Sequence, residues 1–129
     1  MDRAEFERLI AEGFELLPEW VRRKIKNVAI LVEDEPSLEV RQKEALAEDE
    51  TLLGYYQGIP LSARGENYGV GPTMPDMITL YQKPIEEAAE EEEIEVKKVI
   101  AETIWHEFAH HFGMNENEVR LRERKRETE

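Results

Sequence analysis

The stretch from Ile94 to Gly113, IEVKKVIAETIWHEFAHHFG, decides the reading of this chain. It holds no proline, and its first glycine is Gly113, a residue suited to stopping a helix. Ile100, Ile104 and Phe108 form one apolar row at four-residue steps, and Ala101, Trp105, Ala109 and Phe112 form the row beside it. The spacing predicts a long central helix with one face in the core. All three histidines of the chain, His106, His110 and His111, fall in its last turns.

Residues four apart on a helix lie on one face, so the imidazoles of His106 and His110 can converge on a single Zn2+. HEFAH is thus an instance of HExxH, in which Glu107 reaches toward the open side of the metal. With no cysteine and no further histidine in the chain, a third ligand has to be a carboxylate. Glu116 is the first candidate, because a turn at Gly113 presents a side chain three residues later; Glu118, Glu123 and Asp76 are rivals. Such a site leaves one position open for water, with Glu107 as general base handing the proton to a leaving amine. The chemistry indicated is metal-assisted hydrolysis of an amide. His111 lies about 100° round the helix from His110 and reads as a packing histidine or one that supports the metal ligands from behind.

Outward from this helix, Phe6, Leu9, Ile10, Gly13, Phe14 and Leu17 mark an N-terminal helix ended by Pro18. Residues 19–26 add a turn or two, with Trp20, Val21 and Ile25 as the apolar side. Residues 27–32 (NVAILV) read as a buried strand. Residues 37–51 read as a connection that can hold a short helix, and 52–61 (LLGYYQGIPL) as two short strands around Gln57-Gly58. Residues 62–73, with three glycines and a proline, have the composition of a mobile loop. Residues 77–81, bounded by Pro75 and Pro84, read as an edge or near-edge strand. The acidic run 86–95 reads as a solvated helix start or loop, and 117–129 as an exposed helix or frayed tail.

At 129 residues the chain is sized for one domain, 1–129. Seventeen Lys and Arg against thirty Asp and Glu give a net charge of −13, which repels phosphate backbones and anionic lipid. Nucleic acid and membrane are therefore not expected partners. The N-terminus lacks the features of a secretory signal, and no apolar run approaches the roughly 20 residues that span a bilayer. A cytoplasmic location is the expectation.

On HEFAHHFGMNE (106–116), LLGYYQGIPL (52–61), PDMITLYQKPI (75–85) and NVAILVEDEP (27–36), the chain resembles the small bacterial zincin-like metallopeptidases, or minimal metalloproteases. The resemblance implies a zincin-like α+β fold. In it, a small mixed sheet packs against an N-terminal helix and the central HExxH helix. An edge strand, 77–82 here, would run beside that helix and take an extended peptide or protein substrate. It also implies His106 and His110 as zinc ligands and Glu107 as general base. The family usually carries Asp at the third-ligand position, where this chain has Glu116. Met114 lies too close to serve as the methionine turn of larger relatives, and no His or Tyr follows His111 to steady an oxyanion. Tyr55, Tyr56, Tyr68 and Tyr81 remain as donors, each also explicable as packing. The alternative to a peptidase is a metal-stabilised module that binds a peptide or protein and cleaves nothing.

Overall fold

The structure, a computed structural model, describes residues 1–25, 28–58 and 76–111. The glycine-rich segment 62–73, the tail 117–129, Phe112 and the helix stop at Gly113 lie outside them.

Helix α1 (Arg3–Glu15) starts at Asp2, whose carboxylate accepts the Glu5 amide at 2.8 Å and so satisfies one of the helix's open donors. Pro18 begins the short helix α2 (Glu19–Lys24), which buries Val21. Strand β1 (Ala29–Glu33) follows, and the 37–51 connection does hold a short helix, α3 (Leu38–Lys43), with the Ser37 hydroxyl accepting the Val40 amide. Next come strands β2 (Gly54–Gln57) and β3 (Met77–Tyr81) and helices α4 (Gln82–Glu92) and α5 (Val96–His111).

The sheet is small and mixed, in the order β1-β3-β2: β1 runs parallel to β3, and β2 antiparallel to it. This corrects the expectation that 77–82 is an edge strand. Prolines limit a strand only where their own N–H would be needed, and both flanking prolines fall outside β3. Its amides are able to pair on both sides, and Ile78 and Leu80 are fully buried. Residue 82 already belongs to α4. The edges among the described residues are β1 and β2. Of the two short strands expected over 52–61, β2 is the described one.

The acidic run is also corrected. It forms most of a separate helix, α4, that leaves β3 without a loop. Pro84 sits in its first turn, where an amide proton is not required, and Ile85 and Ala89 face the core. Glu93 takes a left-handed conformation (φ 57°) that closes α4 before α5 begins.

Helix α5 carries the core. Ile100, Ile104 and Phe108, and Ala101, Trp105 and Ala109 beside them, are all 5% exposed or less, as the two apolar rows require. Phe6 of α1, Val21 and Ile25 around α2, and Ile78 and Leu80 of β3 pack in the same cluster. Arg3 ties three elements together. Its guanidinium donates to the Gln82 side chain at 2.7 Å, to the Val32 carbonyl at 3.2 Å, and to the Asp34 carboxylate. The buried amide of Gln82 is thereby satisfied, its nitrogen donating in turn to the Met1 carbonyl.

Helices α1 and α5 approach through Gly13. A Cβ there would lie 2.7 Å from the Lys97 carbonyl oxygen and 3.2 Å from Ile100 Cγ2. The nearer atom is backbone and cannot rotate away. Gly13→Ala is therefore expected to destabilise the fold by about 1–3 kcal/mol, despite alanine's better helix propensity, and to lower the thermal midpoint. A midpoint equal to or above that of the parent would show that the two helices do not touch at this point.

Candidate functional site

The candidate site forms where the last two turns of α5 meet β2. Trp105, Phe108 and Ala109 hold these turns against the core, and Trp20 braces them edge-on, its ring centroid 5.7 Å from that of Trp105 and 5.9 Å from that of Phe108. With that face fixed, His106 and His110 are left exposed on the other side, and Glu107 is half-buried between them and the sheet. Helical spacing sets the Cβ atoms of His106 and His110 about 5–6 Å apart on one face.

The carboxylate of Glu107 is held by the sheet. The Tyr56 backbone N–H donates to Glu107 Oε1 at 3.0 Å. The direction of that N–H follows from the antiparallel ladder. Tyr81 donates to the Leu53 carbonyl at 3.0 Å, so odd-numbered residues of this segment bond to β3 while Gly54 and Tyr56 turn their backbone groups to the open edge. Burial raises the Glu107 pKa above the ordinary carboxylate value. The Tyr56 amide and the charge of His110 oppose that shift, and Glu44 adds to it.

Gly54 allows this approach. A Cβ at that position would lie 2.7 Å from Thr103 Cγ2, 3.3 Å from the Thr79 carbonyl oxygen and 3.6 Å from Glu107 Cγ. Only a residue without a side chain lets β2 settle onto α5 closely enough for its next outward amide to reach Glu107.

Two cavities flank this carboxylate. One, of about 370 Å³, opens beside His106 between α4, α5 and residues 51–54. The other, of about 340 Å³, lies beside His110 and is bounded by Glu44 and by Tyr55 and Tyr56 of β2. Glu107 lines both.

His106, Glu107 and His110 are thus brought to one end of α5. Among the described residues, no three His, Asp or Glu side chains group as a metal set. Glu116, Glu118, Glu123 and Tyr68 lie outside the described residues, as does the side chain of His111. Asp76 is engaged elsewhere: its Oδ2 accepts the Tyr56 hydroxyl at 2.9 Å. Sequence reasoning names Tyr56 for its phenol, whereas its contact with the site is through the backbone amide. Neither Gly54 nor the outward amide of residue 56 stands out in the sequence, and only the strand register identifies them.

The sequence profile of the zincin-like metallopeptidases matches residues 25–126. The chain belongs to that family, whose members are hydrolases that typically bind zinc. No curated protein matches the chain. Among solved structures, a conserved hypothetical protein from T. thermophilus is similar over 86% of this chain and 94% of that one, with a TM-score of 0.52 and 23% identity. At that identity the likeness concerns the fold, and it agrees with the α+β architecture described above. Among the described residues, no helix is long and apolar enough to cross a membrane.

Two expectations follow from this geometry. Gly54→Ala should lower stability by about 1–3 kcal/mol, and adding Thr103→Ser should restore much of the loss. Serine removes the clashing Cγ2 but keeps the hydroxyl that donates to the Val99 carbonyl at 2.7 Å. Thermal unfolding of the single and double variants, if strictly additive, would place the close contact elsewhere.

The second concerns pH. A raised carboxyl pKa means that the folded state holds the proton more tightly than the unfolded state. The associated stability is complete below the unfolded value, about pH 4.3, and is lost as pH rises through the folded value. Glu107→Gln should therefore gain stability relative to the parent between pH 4 and pH 7 in the presence of chelator. Denaturant unfolding at both pH values measures the difference, and a gain confined to pH 4 would reverse the sign.

Proposed function

We propose that this chain is a zinc-dependent peptidase in which His106 and His110 bind the metal, Glu116 completes the ligand set and Glu107 is the general base. The observation that carries this reading is the Tyr56 N–H to Glu107 bond. It fixes a half-buried carboxylate beside two exposed imidazoles, at the edge of a strand able to take an extended peptide. The donor set suits zinc, being two nitrogen ligands on one helical face with a carboxylate available to complete them. When bound, zinc supplies a Lewis acid that makes water acidic enough to be deprotonated near neutral pH.

The residues divide the remaining work. Glu107 keeps Oε1 on the Tyr56 amide, so Oε2 is the atom that takes a proton from the attacking water and returns it to the departing amine nitrogen. Burial raises the basicity of this carboxylate, which suits proton transfer near pH 7. The remaining outward backbone groups of Gly54 and Tyr56 offer a peptide strand addition along β2, the edge that meets α5. That edge takes the role expected of 77–82. The chain's own contribution is therefore to align the scissile amide and to hold the proton acceptor in place.

The test combines metal analysis with turnover. Full-length protein reconstituted with zinc and freed of excess should hold one equivalent, and His110→Ala should hold less than a tenth of that. Glu116→Ala should also weaken zinc retention, and Glu107→Gln should keep the metal while losing peptide cleavage. Cleavage by Glu107→Gln at the parent rate would remove the general-base role. Equal zinc in parent and His110→Ala would remove the metal centre.

A further inference from the structure

We infer that the cavity beside His106 receives a long cationic side chain, lysine or arginine, of the bound peptide, and that Glu92 and Glu102 read its charge. This rests on the peptidase reading above and adds the class of residue beside the scissile bond. Carboxylates alone define nothing on so acidic a chain. The defining feature is the cavity that these two rim: its walls are apolar in part, through Leu52, Leu53, Ala88 and Val99, and it shares His106 and Glu107 with the candidate centre.

The walls repeat one chemistry. On α4, Ala88 is followed one turn later by Glu92, and on α5, Val99 is followed three residues later by Glu102; Leu52 and Leu53 close the third side. Each helix therefore presents an apolar surface that leads to an exposed carboxylate. An apolar stem with a charged head matches that sequence of surfaces, the stem lying on Val99 and the leucines while the head stays partly hydrated between the acids. The volume, about 370 Å³, suits one long side chain. Among the described residues, neither Glu92 nor Glu102 has a basic partner to compete for the position. A neutral aliphatic side chain would gain the walls without the charge, and an acidic one would meet like charge.

Nuclear magnetic resonance titration of the full chain with Nα-acetyl-arginine methylamide, against the norleucine equivalent, tests this without requiring turnover. The arginine probe should shift the backbone amides of Leu53, Gly54 and Thr103 and bind about fivefold more tightly than the norleucine probe. The double variant Glu92→Gln, Glu102→Gln, altered only at exposed positions, should lose that advantage while keeping its thermal midpoint. Equal affinity for the two probes, undisturbed amides, or an arginine advantage that survives in the double variant would each overturn the pocket. Profiling a random peptide mixture with the zinc-loaded protein separates the two levels. Cleavage with no basic preference beside the scissile bond would leave a peptidase and overturn the pocket. The expected arginine binding without cleavage of any peptide would support the pocket and remove the peptidase.

Discussion

The hydrogen bond from the backbone amide of Tyr56 to the carboxylate of Glu107 ties the open edge of the sheet to the end of α5. A half-buried carboxylate is costly unless a donor meets it, and an outward amide on an edge strand is a donor turned away from its own sheet. Each answers the other's deficit, and because the acceptor is charged the bond is of the stronger kind. It can form only if β2 lies almost on the helix, which the bare Cα of Gly54 allows. Sheet edge, helix end and carboxylate are therefore positioned together, and a displacement of any one would be felt by the other two.

The same constraint separates the polar side of α5 from its core side. Six core positions from Ile100 to Ala109 are sealed against α1, α2 and β3, so the helix has little rotational freedom in which to move His106 or His110. The ring of Trp20, edge-on to both Trp105 and Phe108, stiffens the turn that bears the first imidazole. Groups meant to act on a bound molecule benefit from such support, because misplacement by about 1 Å is enough to cost much of their effect. Here the support is built from the apolar rows, while β2 adds the bare Cα of Gly54 and the backbone amide of Tyr56.

What the sequence discloses follows the physical range of each signal. The rows of α5, the apolar stripe of α1 and the HExxH spacing are local periodicities and could be read directly. Strand order could not, since the alternation of MITLY is compatible with one neighbour or two, and pairing partners lie tens of residues away. The prolines around β3 suggest an edge because their distance from the ladder cannot be judged without the register. Helix α4 is hidden by its glutamates, although Ile85 and Ala89, four apart after Pro84, carry the helical signal. Gly54 resembles an ordinary turn glycine in LLGYYQG. The Tyr56 amide is a main-chain atom, to which residue identity gives no clue. Sequence therefore exposes the side chains of the candidate site more readily than the backbone that holds them.

Charge acts on this surface at two ranges, and only one of them can discriminate. A net charge of −13 draws any cation, metal ion or basic peptide toward the chain, but such attraction fades beyond about 8 Å at physiological salt and is indifferent to what the cation is attached to. Selectivity requires that charge be met where shape and solvent are also restricted. Around Glu107 these conditions differ between the two sides. The cavity by His110 is bounded by tyrosines and Glu44, and the one by His106 by aliphatic walls that end in Glu92 and Glu102. On the His106 side a ligand with an apolar stem and a charged tip meets Leu52, Leu53 and Ala88 before the two carboxylates. Added salt should therefore weaken encounter for all cations alike while leaving much of the difference between a basic and a neutral side chain, since part of that difference arises at contact distance within the cavity.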